Sequence, residues 1–157
     1  MRYNKPHALI APVLCLLFAF SSGNNVPSIA PVQMNKAQVS TGFGQRKNPT
    51  TGKEQLHTGI DFRIAEGEPV FATADGIIVE SRFDKQRGNY VVVKHDEVYS
   101  TSYSHMKALR VESGDLVKTG QAIGFVGSTG LSTGPHLHYE VLKEGKAVDP
   151  RAYLPSK

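Results

Sequence analysis

Four histidines and one aspartate, spread over three separated segments, are the side chains of this chain best suited to chemistry. They are His57 and Asp61 in His57-Thr58-Gly59-Ile60-Asp61, His105 in Tyr103-Ser104-His105-Met106, and His136 and His138 in Gly134-Pro135-His136-Leu137-His138-Tyr139-Glu140. Two imidazoles and a carboxylate suit a catalytic zinc ion, which keeps one coordination position open for water. Two imidazoles then remain to move protons, a task for a group whose ordinary pKa is about 6.5.

The chain must supply elements that bring these groups together. Residues His136 to Leu142 alternate polar and apolar. As a strand, they present His136, His138 and Glu140 on one face and Leu137, Tyr139 and Val141 on the other. Same-face neighbours lie about 6.5–7 Å apart, so one imidazole can ligate while the other acts on what is bound. His57 and Asp61 have a spacing that shares a helix face. Thr58, Gly59 and Ile60 disfavour a helix there, and a glycine-bent loop feeding a strand at Asp61-Phe62 is expected.

His105 ends an alternating stretch from Tyr99. Taken singly, each segment also has a structural reading: a polar strand face, a surface loop, a strand-end histidine. His95 keeps that structural reading, and His7 falls in the leader. Glu140 reads either as an acceptor that orients a neighbouring histidine or as a solvated strand charge. Arg46 reads either as a groove cation that meets a substrate carboxylate or as a prop for the Ser40–Gly44 turn. Tyr103 and Tyr139 read as core or groove wall.

The chain of 157 residues is long enough for one domain with a real core. Arg2 and Lys5, the apolar run from Ala8 to Phe20 and then Ser21-Ser22-Gly23 form a secretory-signal pattern over residues 1–23. The apolar run is short for a membrane span, and an uncleaved anchor is the other reading. Cys15, the single cysteine, lies inside that run. Pro12-Val13-Leu14 before it does not favour acylation, and cleavage near Gly23 leaves a mature protein without disulfides.

The formal charge is +4 and falls to +2 once Arg2 and Lys5 are removed, with 16 basic residues against 14 acidic ones. With no basic run, nucleic-acid binding gets no support. Residues 24–39 read as a proline-bearing linker, 40–154 as the compact domain and 155–157 as a tail.

Within the domain the pattern is of short β segments between glycines. The clearest are Val70 to Thr73, Gly76 to Ser81, Tyr90 to Lys94, Ala122 to Val126 and His136 to Leu142. No segment keeps a sustained helical period. Gly67-Glu68-Pro69-Val70 and Gly114-Asp115-Leu116-Val117 hint at two similar turn–strand units.

Ser40-Thr41-Gly42-Phe43-Gly44-Gln45-Arg46, the His57–Phe62 segment, Tyr103-Ser104-His105 and Ser128 to Glu140 together resemble the lysostaphin/LytM-type zinc metalloendopeptidases of bacterial cell walls. The similarity runs from about Ser40 to Tyr153. It implies a mainly β single domain, with antiparallel sheets forming a groove and little helix. It also implies one zinc ion held by His57, Asp61 and His138, with His105 and His136 as the catalytic histidines.

The implied substrate is the peptide part of peptidoglycan. The leader points to export, into a periplasm or to the cell wall and medium, and a monomer with no membrane span in its mature form is expected. Two other classes compete with this reading. A non-catalytic envelope protein would share the fold, but every metal-ligand position is kept here. A lipoyl- or biotinyl-carrier reading of Gly114 to Gln121 leaves the histidines unused.

Overall fold

The computed structural model describes residues 25–47 and 52–156. The leader, Cys15 and His7 lie outside those residues. Thirteen strands follow one another among the described residues. The first seven are β1 (Gln38–Thr41), β2 (Gly44–Lys47), β3 (Glu54–His57), β4 (Ile60–Arg63), β5 (Pro69–Phe71), β6 (Gly76–Asp84) and β7 (Gly88–Lys94). Then come β8 (Tyr99–Met106), β9 (Ala108–Leu109), β10 (Leu116–Val117), β11 (Ala122–Phe125), β12 (His136–Lys143) and β13 (Lys146–Val148), with a 3₁₀ turn at Pro150–Tyr153. No α-helix occurs among the described residues, and the expected β-rich architecture is what forms.

The main sheet has the order β1-β4-β12-β8-β7-β6-β10, with β13 added beside β12. A small sheet, β5-β11-β9, packs against it, and β2 and β3 form a separate hairpin. All these pairings are antiparallel. The core lies between the two sheets. Ile60 and Phe62 of β4, Tyr103 of β8 and Leu137, Tyr139 and Val141 of β12 meet Val70 and Ile123 of the small sheet there.

Alternation along β12 does what its sequence pattern predicts. Leu137, Tyr139 and Val141 are fully buried, while His136, His138 and Glu140 are partly exposed on the opposite face. Burying apolar side chains on one face is worth roughly 1.5–3 kcal/mol each. A one-residue slip would forfeit that gain and turn the histidines into the core.

The similar turns at Gly67 and Gly114 also share their pairing. Gly67 N donates to Val126 O and Val126 N donates to Glu68 O. Gly114 N donates to Ile78 O and Ile78 N donates to Asp115 O in the same pattern.

The structure differs from expectation upstream of Ser40. A linker is expected over residues 24–39, yet residues 25–37 lie along the domain and Gln38 and Val39 open β1. Ser28 N donates to Thr73 O and Phe71 N to Pro31 O, so this arm follows the outer edge of β5. Asn25 Nδ2 donates to His95 O, and Val32 is buried in the core. The prolines that suggested a linker are compatible with a sheet edge, where a missing N–H costs no ladder bond.

Candidate metal centre

The face of the main sheet opposite the core forms the floor of an open groove of about 1210 Å³. On β4, Asp61 and Arg63 share this face. Asp61 is opposite His138 and Arg63 opposite His136 on β12. On β8, Ser104 is opposite His138 and Ser102 opposite Glu140. His57 enters from the end of β3.

The turn from β3 into β4 depends on Gly59. A Cβ there would stand 2.4 Å from Tyr139 O and 3.0 Å from both Glu140 Cγ and His138 Cε1. Gly59 does not adopt a left-handed φ. The glycine is therefore needed for close approach to β12 rather than for the bend expected from the sequence.

Three donor atoms converge. His57 Nε2, Asp61 Oδ1 and His138 Nδ1 form a triangle with sides of 2.9, 3.1 and 3.2 Å. A tetrahedral zinc site with bonds of about 2.0–2.2 Å has ligand–ligand edges of about 3.3–3.6 Å. A small opening of the triangle reaches that geometry, and the donor set of two nitrogens and one carboxylate oxygen fits zinc.

Each imidazole is held by its other nitrogen. His57 Nδ1 donates to Gly42 O at 2.7 Å, which leaves the Nε2 lone pair toward the triangle. His138 Nε2 donates to Glu140 Oε1 at 3.0 Å, which leaves its Nδ1 lone pair there. The Thr58 hydroxyl donates to the same Glu140 oxygen. Such partners fix the ring orientation and raise ligand basicity.

The electrostatics favour a cation at the triangle. Burial opposes ionisation of Asp61, but hydrogen bonds and charge from His138 and His57 outweigh it and hold its carboxyl well below the usual range. Burial likewise opposes a proton on His138. Asp61 and Glu140 on either side overcome it and push this imidazole up to about 9. A site that pulls a proton this strongly also attracts a metal ion, which displaces that proton on binding.

His105 and His136 stand beside the triangle with ring centroids 4.7 Å apart. His105 is 6.2 Å from His138 by the same measure. His105 Nδ1 donates to Thr129 O at 2.9 Å, and His136 Nδ1 donates to Gly134 O at 2.8 Å. Both rings therefore keep an Nε2 lone pair. Burial, reinforced by the neighbouring imidazoles, pushes His105 down to about 4.

The route by which His105 reaches the groove is not the strand alternation. Thr101 and Tyr103 face the core, and a regular strand would send His105 there too. Between β7 and β8 the register shifts by one residue, and His105 adopts φ 66° at that point. Histidine is one of the few non-glycine types enriched in this left-handed region. The bulge turns the imidazole over to the groove side.

His95 is fully buried, with Nδ1 2.8 Å from Asp75 O and Nε2 2.8 Å from Thr101 Oγ1, which matches its structural reading. Tyr103 and Tyr139 are core residues whose hydroxyls both meet Thr73 Oγ1 at 3.0 Å. Sequence reasoning missed Thr58, Thr129 and the Gly42 carbonyl. The last two are backbone acceptors with no side-chain signal.

Residues 55–150 match the profile of peptidase family M23. The chain belongs to that family. This M23 domain is 44% identical over 127 residues to the peptidoglycan DD-endopeptidase ShyB of Vibrio cholerae serotype O1, covering 80% of this chain and 30% of that protein. The chain thus spans about a third of that relative's length.

Among solved structures, the M23 domain superposes on a zinc-containing peptidase from Vibrio cholerae with a TM-score of 0.75 and 42% identity. That match covers 79% of this chain and 39% of the other. The catalytic domain of lysostaphin from Staphylococcus simulans gives a TM-score of 0.69 and 35% identity, over 76% of this chain and 92% of that domain.

Proposed function

We propose that this chain is an exported, zinc-dependent endopeptidase that hydrolyses peptide bonds in peptidoglycan stems or cross-bridges. The observation that carries the reading is the donor triangle of His57, Asp61 and His138, with the His105–His136 pair beside it in an open groove. The name of the Vibrio relative, a peptidoglycan DD-endopeptidase, favours a bond between D-configured residues in a cross-link.

When bound, zinc supplies a Lewis acid for the scissile carbonyl and lowers the pKa of a coordinated water toward about 7. His57 and His138 present the lone pairs that hold it, and Asp61 contributes the negative charge. His105 is neutral at pH 7 because its burial disfavours a proton. Its Nδ1 is held by Thr129 O, which leaves the Nε2 lone pair to accept a proton from the attacking water. His136 acts on the developing oxyanion or the leaving amine, with its ring fixed by Gly134 O. No glutamate takes the base role here. Glu140 is occupied with His138 and Thr58.

The test is digestion of purified cell walls of several cross-link types by zinc-loaded protein, with released fragments identified by mass. New amine ends that appear only with zinc support the reading. Intact cross-links in every wall type, with zinc bound stoichiometrically, would sink it.

A further inference from the structure

Among the described residues, the groove holds a guanidinium whose only charged neighbour is a loose one. Arg46, on β2, has its Nε buried and without a hydrogen-bond partner. Its Nη2 stands 4.0 Å from Asp61 Oδ2, beyond hydrogen-bond distance, and about a third of the side chain is exposed to the groove. A buried donor without an acceptor is unfavourable, and the loose contact with Asp61 leaves the exposed part of the same side chain open to a ligand.

Two other cations of the groove are already paired. Lys36 pairs with Glu68 at 3.0 Å. Arg87 pairs with Asp84 at 2.8 Å and stacks 3.5 Å over the Tyr90 ring. The carboxylates lining the groove are Asp61 and Glu140, and both face imidazoles. Arg63 adds positive charge on the groove floor, two residues beyond Asp61 and opposite His136. The uncommitted charge is therefore cationic, and it sits beside the metal ligands.

We propose that Arg46 anchors a free carboxylate of the peptide substrate next to the metal triangle, selecting peptides with an unamidated carboxyl group near the scissile bond. A guanidinium presents two parallel N–H donors to a carboxylate, which gives orientation as well as attraction. The part of Arg46 that a ligand in the groove can meet is the exposed part of its side chain, not the buried Nε. Anchoring a charge here fixes the register of the peptide along β12 and β4, and with it which carbonyl reaches the metal. The proposal deepens the peptidase reading and rests on it for the identity of the ligand.

The experiment measures binding of N-acetyl-D-alanyl-D-alanine and its C-terminal carboxamide to the zinc-loaded full chain by calorimetry. Wild-type protein is expected to prefer the carboxylate by about 10- to 100-fold. Arg46→Gln removes that preference without changing zinc affinity, and Arg46→Lys keeps part of it.

An undiminished preference in Arg46→Gln would overturn the proposal, because the zinc or Arg63 would then be the anchor. So would equal binding of the two ligands by wild type. A fall in zinc affinity in Arg46→Gln would also overturn it, by making Arg46 a positioning residue for Asp61. Failure of the peptidase reading looks different: the carboxylate preference persists while cross-linked muropeptides are not cut.

Discussion

Glu140 accepts a hydrogen bond from His138 Nε2 at 3.0 Å, on the side of the ring facing away from Asp61. The carboxylate is two residues along the same strand, so the alternation that exposes the ligand also exposes its support. Thr58, in the loop between His57 and Asp61, donates to the same oxygen and ties the two segments together. Removing the carboxylate frees the ring to rotate and to exchange its tautomer. Glu140→Ala is expected to weaken zinc binding by about 10- to 100-fold, and Glu140→Gln, which keeps an acceptor, by less. Competition with a chromophoric chelator measures both, and equal affinities for all three proteins would refute the role.

The proposed roles divide the five residues into two groups. Alanine at His57, Asp61 or His138 should lower zinc content and activity together. Alanine at His105 or His136 should leave zinc in place and cut turnover by roughly 10²–10⁴-fold. Metal analysis beside a muropeptide assay checks this. A His136→Ala protein that lost its zinc but turned over normally with excess zinc would reverse the division.

Gly59 makes a prediction about packing. Any side chain there collides with the backbone of β12 at Tyr139 O, a neighbour that cannot swing aside. Gly59→Ala should destabilise the fold by about 1–3 kcal/mol, the usual cost of overpacking. It should also push His138 out of the donor triangle. Urea denaturation with zinc titration reads both effects, and a protein of wild-type stability and affinity would show that the loop can lift freely.

His95 should give the fold an acid-sensitive component. Burial pushes its pKa below the ordinary 6.5, against opposing hydrogen-bond and charge effects from Asp75 and Asp96. The folded protein holds this ring neutral, whereas the unfolded chain takes up a proton near pH 6.5. Its contribution to stability is therefore present above that pH and is lost as pH falls through the lower folded value. His105, also depressed, slopes the same way, so the comparison must be with a variant. The loss of stability from pH 7 to 5 should be shallower in His95→Gln than in wild type, and parallel curves would exclude His95 as a source.

Much of the site was legible before any coordinates. Polar–apolar alternation over His136–Leu142 predicted which face carries His136, His138 and Glu140, because a strand has no other way to bury Leu137, Tyr139 and Val141. The β segments at Gly76, Tyr90 and Ala122 were readable from β-branched runs between glycines for the same reason. Resemblance supplied the ligand set, and the triangle of His57, Asp61 and His138 is a cluster compatible with a metal ion. Less legible was the arm at 25–37. Its prolines and polar residues carry no period, and only contact with the edge of β5 gives its backbone a partner.

Residue types and strand periodicity thus settled the chemistry available to this chain and the sheet face that displays it. Both are local properties, written in one stretch of residues at a time. The contact of Gly59 with β12, the bulge that turns His105 away from the core, and the position of Arg46 beside Asp61 were decided only by the assembled fold. Each depends on segments distant in sequence meeting at fixed separations, and no single segment encodes that meeting.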